Sequence, residues 1–187
     1  MALSAARKIA EREGLRGLSV RRIASEIGYS GGTLYNLFEN LDDLVVQVNA
    51  RTLDWLYEEL SRESLEEEPE AAVLELTERY VRFTRTHPRL WAMLFEHRLP
   101  EGRELPAWYY EKVARARGLL EKALEPLFGA GHDADVRHAA RVLWSSLHGI
   151  CSLETAGKLA STESVEVMSR SLVLNYIAGV RRLQPTT

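Results

Sequence analysis

Arg21, Ser30, Thr33, Tyr35 and Asn36 fall within one short stretch of the chain, around the paired glycines Gly31 and Gly32. Their chemistry suits the edges and backbone of a nucleic acid. An Asn amide matches the donor and acceptor pair of adenine, a Thr offers a hydroxyl and a methyl, and Tyr and Arg hold phosphate oxygens and fix register. Glycines at the start of a helix let backbone N–H groups approach an anion closely. Other reactive types are present but do not form a working set. Ser145 and Ser146 lie near His148, yet all three share one helical stretch at the spacing of ordinary small packing residues, so no nucleophile and base are read from them. The glutamates between Glu63 and Glu70 read as a solvated linker and not as paired catalytic carboxylates. Of the five histidines only His132 and His138 are near in sequence, and they lack the spacing that puts two ligands on one helix face. Cys151 is the single cysteine, so no intrachain disulfide is possible, and a lone buried thiol is usually inert. No catalytic residue, metal site or cofactor is expected.

The polar set needs two short helices to hold it. Val20, Ile23, Ala24 and Ile27 recur at i, i+3, i+4 and i+7 and share one helix face, with Ser19 as N-cap and Gly28 as the terminating residue. Ser30 is placed to cap the next helix, which sends Leu34, Leu37 and Phe38 toward a core and leaves Gly31, Gly32, Thr33, Tyr35 and Asn36 outside. Two helices joined by a tight Gly-containing turn form the helix-turn-helix pattern, whose second helix enters the major groove. Leu3, Ala6, Ile9 and Ala10 predict a supporting helix that ends at Gly14.

The run from Glu11 to Leu44 resembles the DNA-binding domain of the tetracycline-repressor (TetR) family of bacterial regulators. Gly14, Leu18-Ser19, Ile23-Ala24, Gly28, Thr33-Leu34-Tyr35, Phe38 and Leu44 all fall in its register. A second stretch, Trp144 to His148-Gly149, resembles a Trp-x-x-x-His-Gly signature of one group of C-terminal domains in the same family. The resemblance implies an all-α protein: a three-helix head over residues 1–48, joined by a long helix to a helical bundle over 49–187 that binds ligand and dimerises. Family members often carry Lys or Arg where this chain has Gly31, and Lys where it has Leu41. Both are usual phosphate contacts, so fewer electrostatic contacts with DNA are expected here.

Composition agrees with a soluble globular chain of 187 residues, 45% hydrophobic and 27% charged, with a formal net charge of -3. Residues 1–52 hold seven basic against six acidic side chains, net +1, and the remainder is net -4. A near-neutral head with local arginines on an acidic body suits site-specific binding better than general coating of DNA. No apolar run approaches the roughly 18 residues of a membrane span, and no signal peptide precedes Leu3, so a cytoplasmic protein without membrane contact is expected.

Beyond the head, Asn40 caps a helix predicted to run to about Leu65, with Asp42 and Asp43 at the positive end of its dipole. Helices are further predicted over 70–86, from Pro88 through Phe95, and over 107–127, 136–159 and 164–182. Phe83, His87, Trp91, Leu94, Phe95, Trp108, Tyr109, Trp144, His148 and Cys151 supply the large or polarisable side chains that a pocket for a small, mostly apolar effector requires. Leu143, Leu147, Ile150, Leu172, Tyr176, Ile177 and Val180 are expected to pair the last two helices with their copies in a four-helix homodimer interface. The function expected is a ligand-responsive repressor acting as a homodimer on a palindromic operator in double-stranded DNA. The alternative is a helical ligand- or partner-binding protein with weakened DNA recognition.

Overall fold

The computed structural model describes residues 1–62, 65–159 and 163–183, and among them it contains nine α-helices and no strand. In chain order they are α1 (Ala2–Glu13), α2 (Val20–Ile27), α3 (Gly31–Tyr35), α4 (Leu41–Leu60), α5 (Pro69–Thr86), α6 (Pro88–Glu96), α7 (Ala107–Leu124), α8 (Asp133–Thr155) and α9 (Val165–Leu183). The all-α class is the one that the family resemblance implies. Contacts divide the chain into two units, Met1–Trp55 with Thr86–Lys112, and Leu56–Arg85 with Val113–Thr187. Among the described residues no helix is long and apolar enough to cross a membrane.

In the first unit α1 packs against α2 and α6. Ala6, Ile9, Ile23, Leu34, Leu44 and Val48 close a core that also takes Leu90 and Met93 from α6. Each fully buried Leu or Ile removes enough apolar surface from water to contribute roughly 1.5–3 kcal/mol. The helix ends follow local chemistry. Ser19 Oγ accepts the Arg22 N–H at 3.3 Å and caps α2. Gly28, at φ 73°, ends it, while the N–H groups of Gly28 and Tyr29 return to the carbonyls of Ser25 and Ala24. Asn40 Oδ1 accepts the Asp43 N–H at 2.9 Å and opens α4. Between α1 and α2 the 3-10 turn Leu15–Gly17 brings the backbone so close to α1 that a Cβ on Gly17 would lie 2.6 Å from Glu13 Cβ.

In the second unit α8 packs along α9. The α4 helix ends at Leu60 and not near Leu65. The reason is a long-range contact: the buried Arg79 guanidinium donates to the Leu60 carbonyl at 2.8 Å and pairs with Glu75 at 2.5 Å. A cation at a helix C-terminus satisfies an orphan carbonyl and opposes the negative end of the dipole. The α8 helix likewise stops at Thr155, short of the expected Leu159. Gly157 takes φ 63°, and the N–H groups of Gly157 and Lys158 return to Glu154 and Leu153, both at 2.8 Å, which is a Schellman ending.

Candidate nucleic-acid interface and ligand core

The outer face of the head is built on two inward residues. Leu34 and Phe38 stand one turn apart and fill the core beneath α3, which turns Thr33, Tyr35 and Asn36 away from it. Tyr35 is 60% exposed and Asn36 is exposed, whereas Thr33 is half-buried. Ser30 does not cap α3 through its side chain as expected. Its hydroxyl lies 3.2 Å from that of Thr33, and its carbonyl accepts the Thr33 N–H at 3.1 Å. Leu37 also departs from expectation. It does not join Leu34 and Phe38 in the core but is 63% exposed, because those two already occupy the inward side of so short a helix.

Gly31 and Gly32 carry no steric obligation to the rest of the head. A Cβ on Gly31 would meet only Val20 Cγ1, at 3.8 Å, and one on Gly32 only Ser30 Oγ, at 3.8 Å. Arg21 is exposed and forms no ion pair among the described residues. Its neighbour Arg22 is spent inside the head, paired through both terminal nitrogens with Glu13 of α1, which holds the Glu13 carboxyl below the usual carboxylate range. Arg12 faces Glu26 at 3.7 Å. The head thus presents a small polar and aromatic surface of Arg21, Thr33, Tyr35 and Asn36, with most nearby cations neutralised by carboxylates.

The residues named for a ligand pocket are distributed over both units. In the first, Trp91 and Tyr109 are buried, His87 and Leu94 are half-buried, and Phe95 and Trp108 are exposed. His87 lies 4.0 Å from the Trp55 ring, Trp91 5.5 Å from Phe95, and Trp108 6.0 Å from Tyr109. Burial pushes the Tyr109 hydroxyl up to about 12. In the second unit, Phe83 and Cys151 are buried, and Trp144 and His148 are half-buried. Burial holds His148 below its ordinary value and lifts the Cys151 thiol to about 11, so both are neutral at neutral pH.

A void of about 20 Å³ in this unit is lined by Leu60, Leu76, Thr77, Tyr80, Ala116, Leu119, Leu120, Trp144 and Leu147. Trp144 is the one residue of the named aromatic set on its wall, with the Tyr80 ring 5.0 Å away. Leu76, Thr77 and Tyr80 lie outside the set expected to line a pocket, although their i, i+1, i+4 spacing on α5 marks one face. A second cleft, of about 410 Å³, is no more enclosed than the first but more polar, with Glu66, Glu67 and Lys122 among its lining residues. Of the residues named for pairing, Leu143, Leu147 and Ile177 are buried in the unit's own core, whereas Ile150, Leu172, Tyr176 and Val180 are half-buried.

Comparison with known proteins bears on the whole chain. Residues 2–48 match the model of bacterial regulatory proteins of the tetR family, and residues 73–176 match that of the tetracyclin repressor-like C-terminal domain. The chain is 30% identical over 173 residues to an uncharacterized HTH-type transcriptional regulator of Mycobacterium tuberculosis, covering 92% of this chain and 76% of that protein. A solved protein of unknown function from Rhodococcus sp. RHA1 superposes with a TM-score of 0.78 at 23% identity, over 95% of this chain and 92% of its own. A possible TetR family regulator from Streptomyces coelicolor A3(2) gives 0.72 at 14% identity, over 98% of each chain. With the helix-turn-helix head inside one match and the later helices inside the other, the chain belongs to the TetR family of bacterial transcriptional regulators.

Proposed function

We propose that the protein is a cytoplasmic, non-enzymatic repressor that binds a palindromic operator as a homodimer and releases it when a small, mostly apolar effector binds. The observation that carries this reading is the α3 surface, where polar and aromatic side chains face solvent over a firmly packed base. Residues 1–48 dock on DNA, with Thr33 and Asn36 at base edges, Arg21 and Tyr35 on phosphates, and Ser30, Gly31 and Gly32 at the backbone. Residues 49–187 receive the effector and the second copy. Ile150, Leu172, Tyr176 and Val180 cover the pairing face of α8 and α9 over a floor of Leu143, Leu147 and Ile177, and a two-fold dimer then places two recognition helices on two half-sites.

The apolar void beside Tyr80 and Trp144 supports an effector of the same character. At about 20 Å³ it is far smaller than the roughly 300 Å³ at which ligand pockets begin, so an effector must select a more open arrangement of the helices around it. The head is sensitive to the position of α6. Leu90 and Met93 belong to its core, Asn49 Nδ2 donates to the Met93 carbonyl at 3.3 Å, and His97 Nε2 lies 2.9 Å from Asp42 Oδ1 at the start of α4. A shift of α6 therefore moves α4 and changes the separation of the two heads.

The test is selection of bound fragments from random duplex DNA at low and moderate salt. A recovered palindrome that is lost on Tyr35→Ala supports the reading. No enrichment at either salt overturns it in favour of a helical ligand- or partner-binding protein.

A further inference from the structure

After Met1, Leu37 is the most exposed large apolar side chain among the described residues, at 63%. Its place is more informative than its exposure alone. The N–H groups of Leu37 and Phe38 both return to the Leu34 carbonyl at 3.0 Å, so a single closing turn follows the end of α3 at Tyr35. Continued at about 100° per residue, Leu37 stands one turn beyond Thr33, about 40° round the axis from it and about 80° from the direction midway between the buried Leu34 and Phe38, so it projects sideways from the edge of the core. It therefore stands exposed beside Thr33, at the edge of the face that carries the base-reading side chains. Tyr29, 52% exposed in the turn between α2 and α3, and Tyr35 add to the same apolar character. Cations are scarce there, since Arg22 is held by Glu13 and no basic side chain occupies positions 31 or 41.

One apolar group projects from the floor of the major groove, the 5-methyl of thymine. We propose that Leu37 is a specificity-determining residue that packs on a thymine methyl in each half-site, next to the base edges met by Thr33 and Asn36. The inference rests on the reading that α3 enters the major groove. It gives the exposed leucine a role that its own fold does not, and it makes recognition depend on shape and methyl burial where charge is lacking.

The experiment uses the duplex that the protein itself selects, with each thymine replaced in turn by deoxyuridine in one half-site. Deoxyuridine keeps every hydrogen-bonding group and removes the methyl alone. The expected result is one position at which deoxyuridine weakens the natural protein about fourfold, the factor that burial of one methyl provides. The same change leaves Leu37→Ala unaffected, while Leu37→Met retains part of the discrimination. Equal melting temperatures for the three proteins, expected for an exposed site, tie the difference to DNA. An enriched site at which natural protein and Leu37→Ala respond alike to every replacement overturns this inference alone. Absence of any enriched site overturns the DNA-reading function and this inference with it.

Discussion

Replacing Gly31 by lysine adds a cation to the recognition helix at a position that the head leaves open. The new Cβ meets only Val20 Cγ1, at 3.8 Å, and the glycine does not occupy the left-handed region, so no strain opposes the change. Helix propensity favours lysine over glycine by about 0.7 kcal/mol, which firms a helix of five residues. The larger effect is electrostatic. Each additional phosphate neutralised steepens the dependence of log affinity on log salt by about 0.9. Between 50 and 200 mM salt one extra contact then costs roughly a further 3.5-fold, and a dimer with one contact per head roughly twelvefold. Titration of a labelled operator by fluorescence anisotropy at several salt concentrations measures this directly. The variant is expected to bind more tightly than the natural protein at 50 mM, with the advantage shrinking as salt rises. An unchanged slope, or weaker binding at 50 mM, refutes the reasoning: the glycine would then be required by the DNA backbone pressing against it.

Three further substitutions test the fold that supports the site. Gly17→Ala forces a Cβ to within 2.6 Å of Glu13 Cβ and 3.3 Å of Ile9 Cγ2, and should cost about 1–3 kcal/mol in urea unfolding. Gly118→Ala in α7, where the same atom meets nothing within 4 Å, should instead raise stability by about 0.5–1 kcal/mol. Arg79→Met strips the Leu60 carbonyl and Glu75 of a buried cation and is expected to lower stability by about 3 kcal/mol, with part recovered when Glu75→Gln is added. His148 is held below its ordinary value, so the unfolded chain binds its proton first as pH falls. Its contribution is full above about pH 6.5 and declines below it, and His148→Gln should flatten the urea midpoint against pH between about 5 and 7.

What could be read from the sequence is what is settled locally. Ser19, Gly28 and Asn40 act at helix ends through atoms a few residues away, so their types alone predict α2 and the start of α4. The ends of α4 and α8 differ from expectation for different reasons. Arg79 reaches Leu60 from nineteen positions away, and no local pattern announces it. Gly157 is a local signal, a glycine able to take positive φ, but the apolar residues on either side of it, Leu153 and Leu159, extend the helical pattern past it. Leu37 shows the limit of reading burial from residue type. A helix of one turn has room beneath it for Leu34 and Phe38, and the third apolar side chain is left outside. The void beside Trp144 was out of reach because its walls come from separate helices of one unit.

The presence of Leu90 and Met93 in the head's core has a consequence for modularity. Both are fully enclosed, and each deletion from such a site commonly costs 2–5 kcal/mol. Residues 1–48 cut out and fused to another protein would carry a hole where those two side chains stood. A transplantable DNA reader from this chain must therefore bring α6 with it, or fill the hole with new side chains on α1 and α4. Exchange of heads among relatives meets the same constraint: a new head is accepted only where the recipient's α6 already fits its underside.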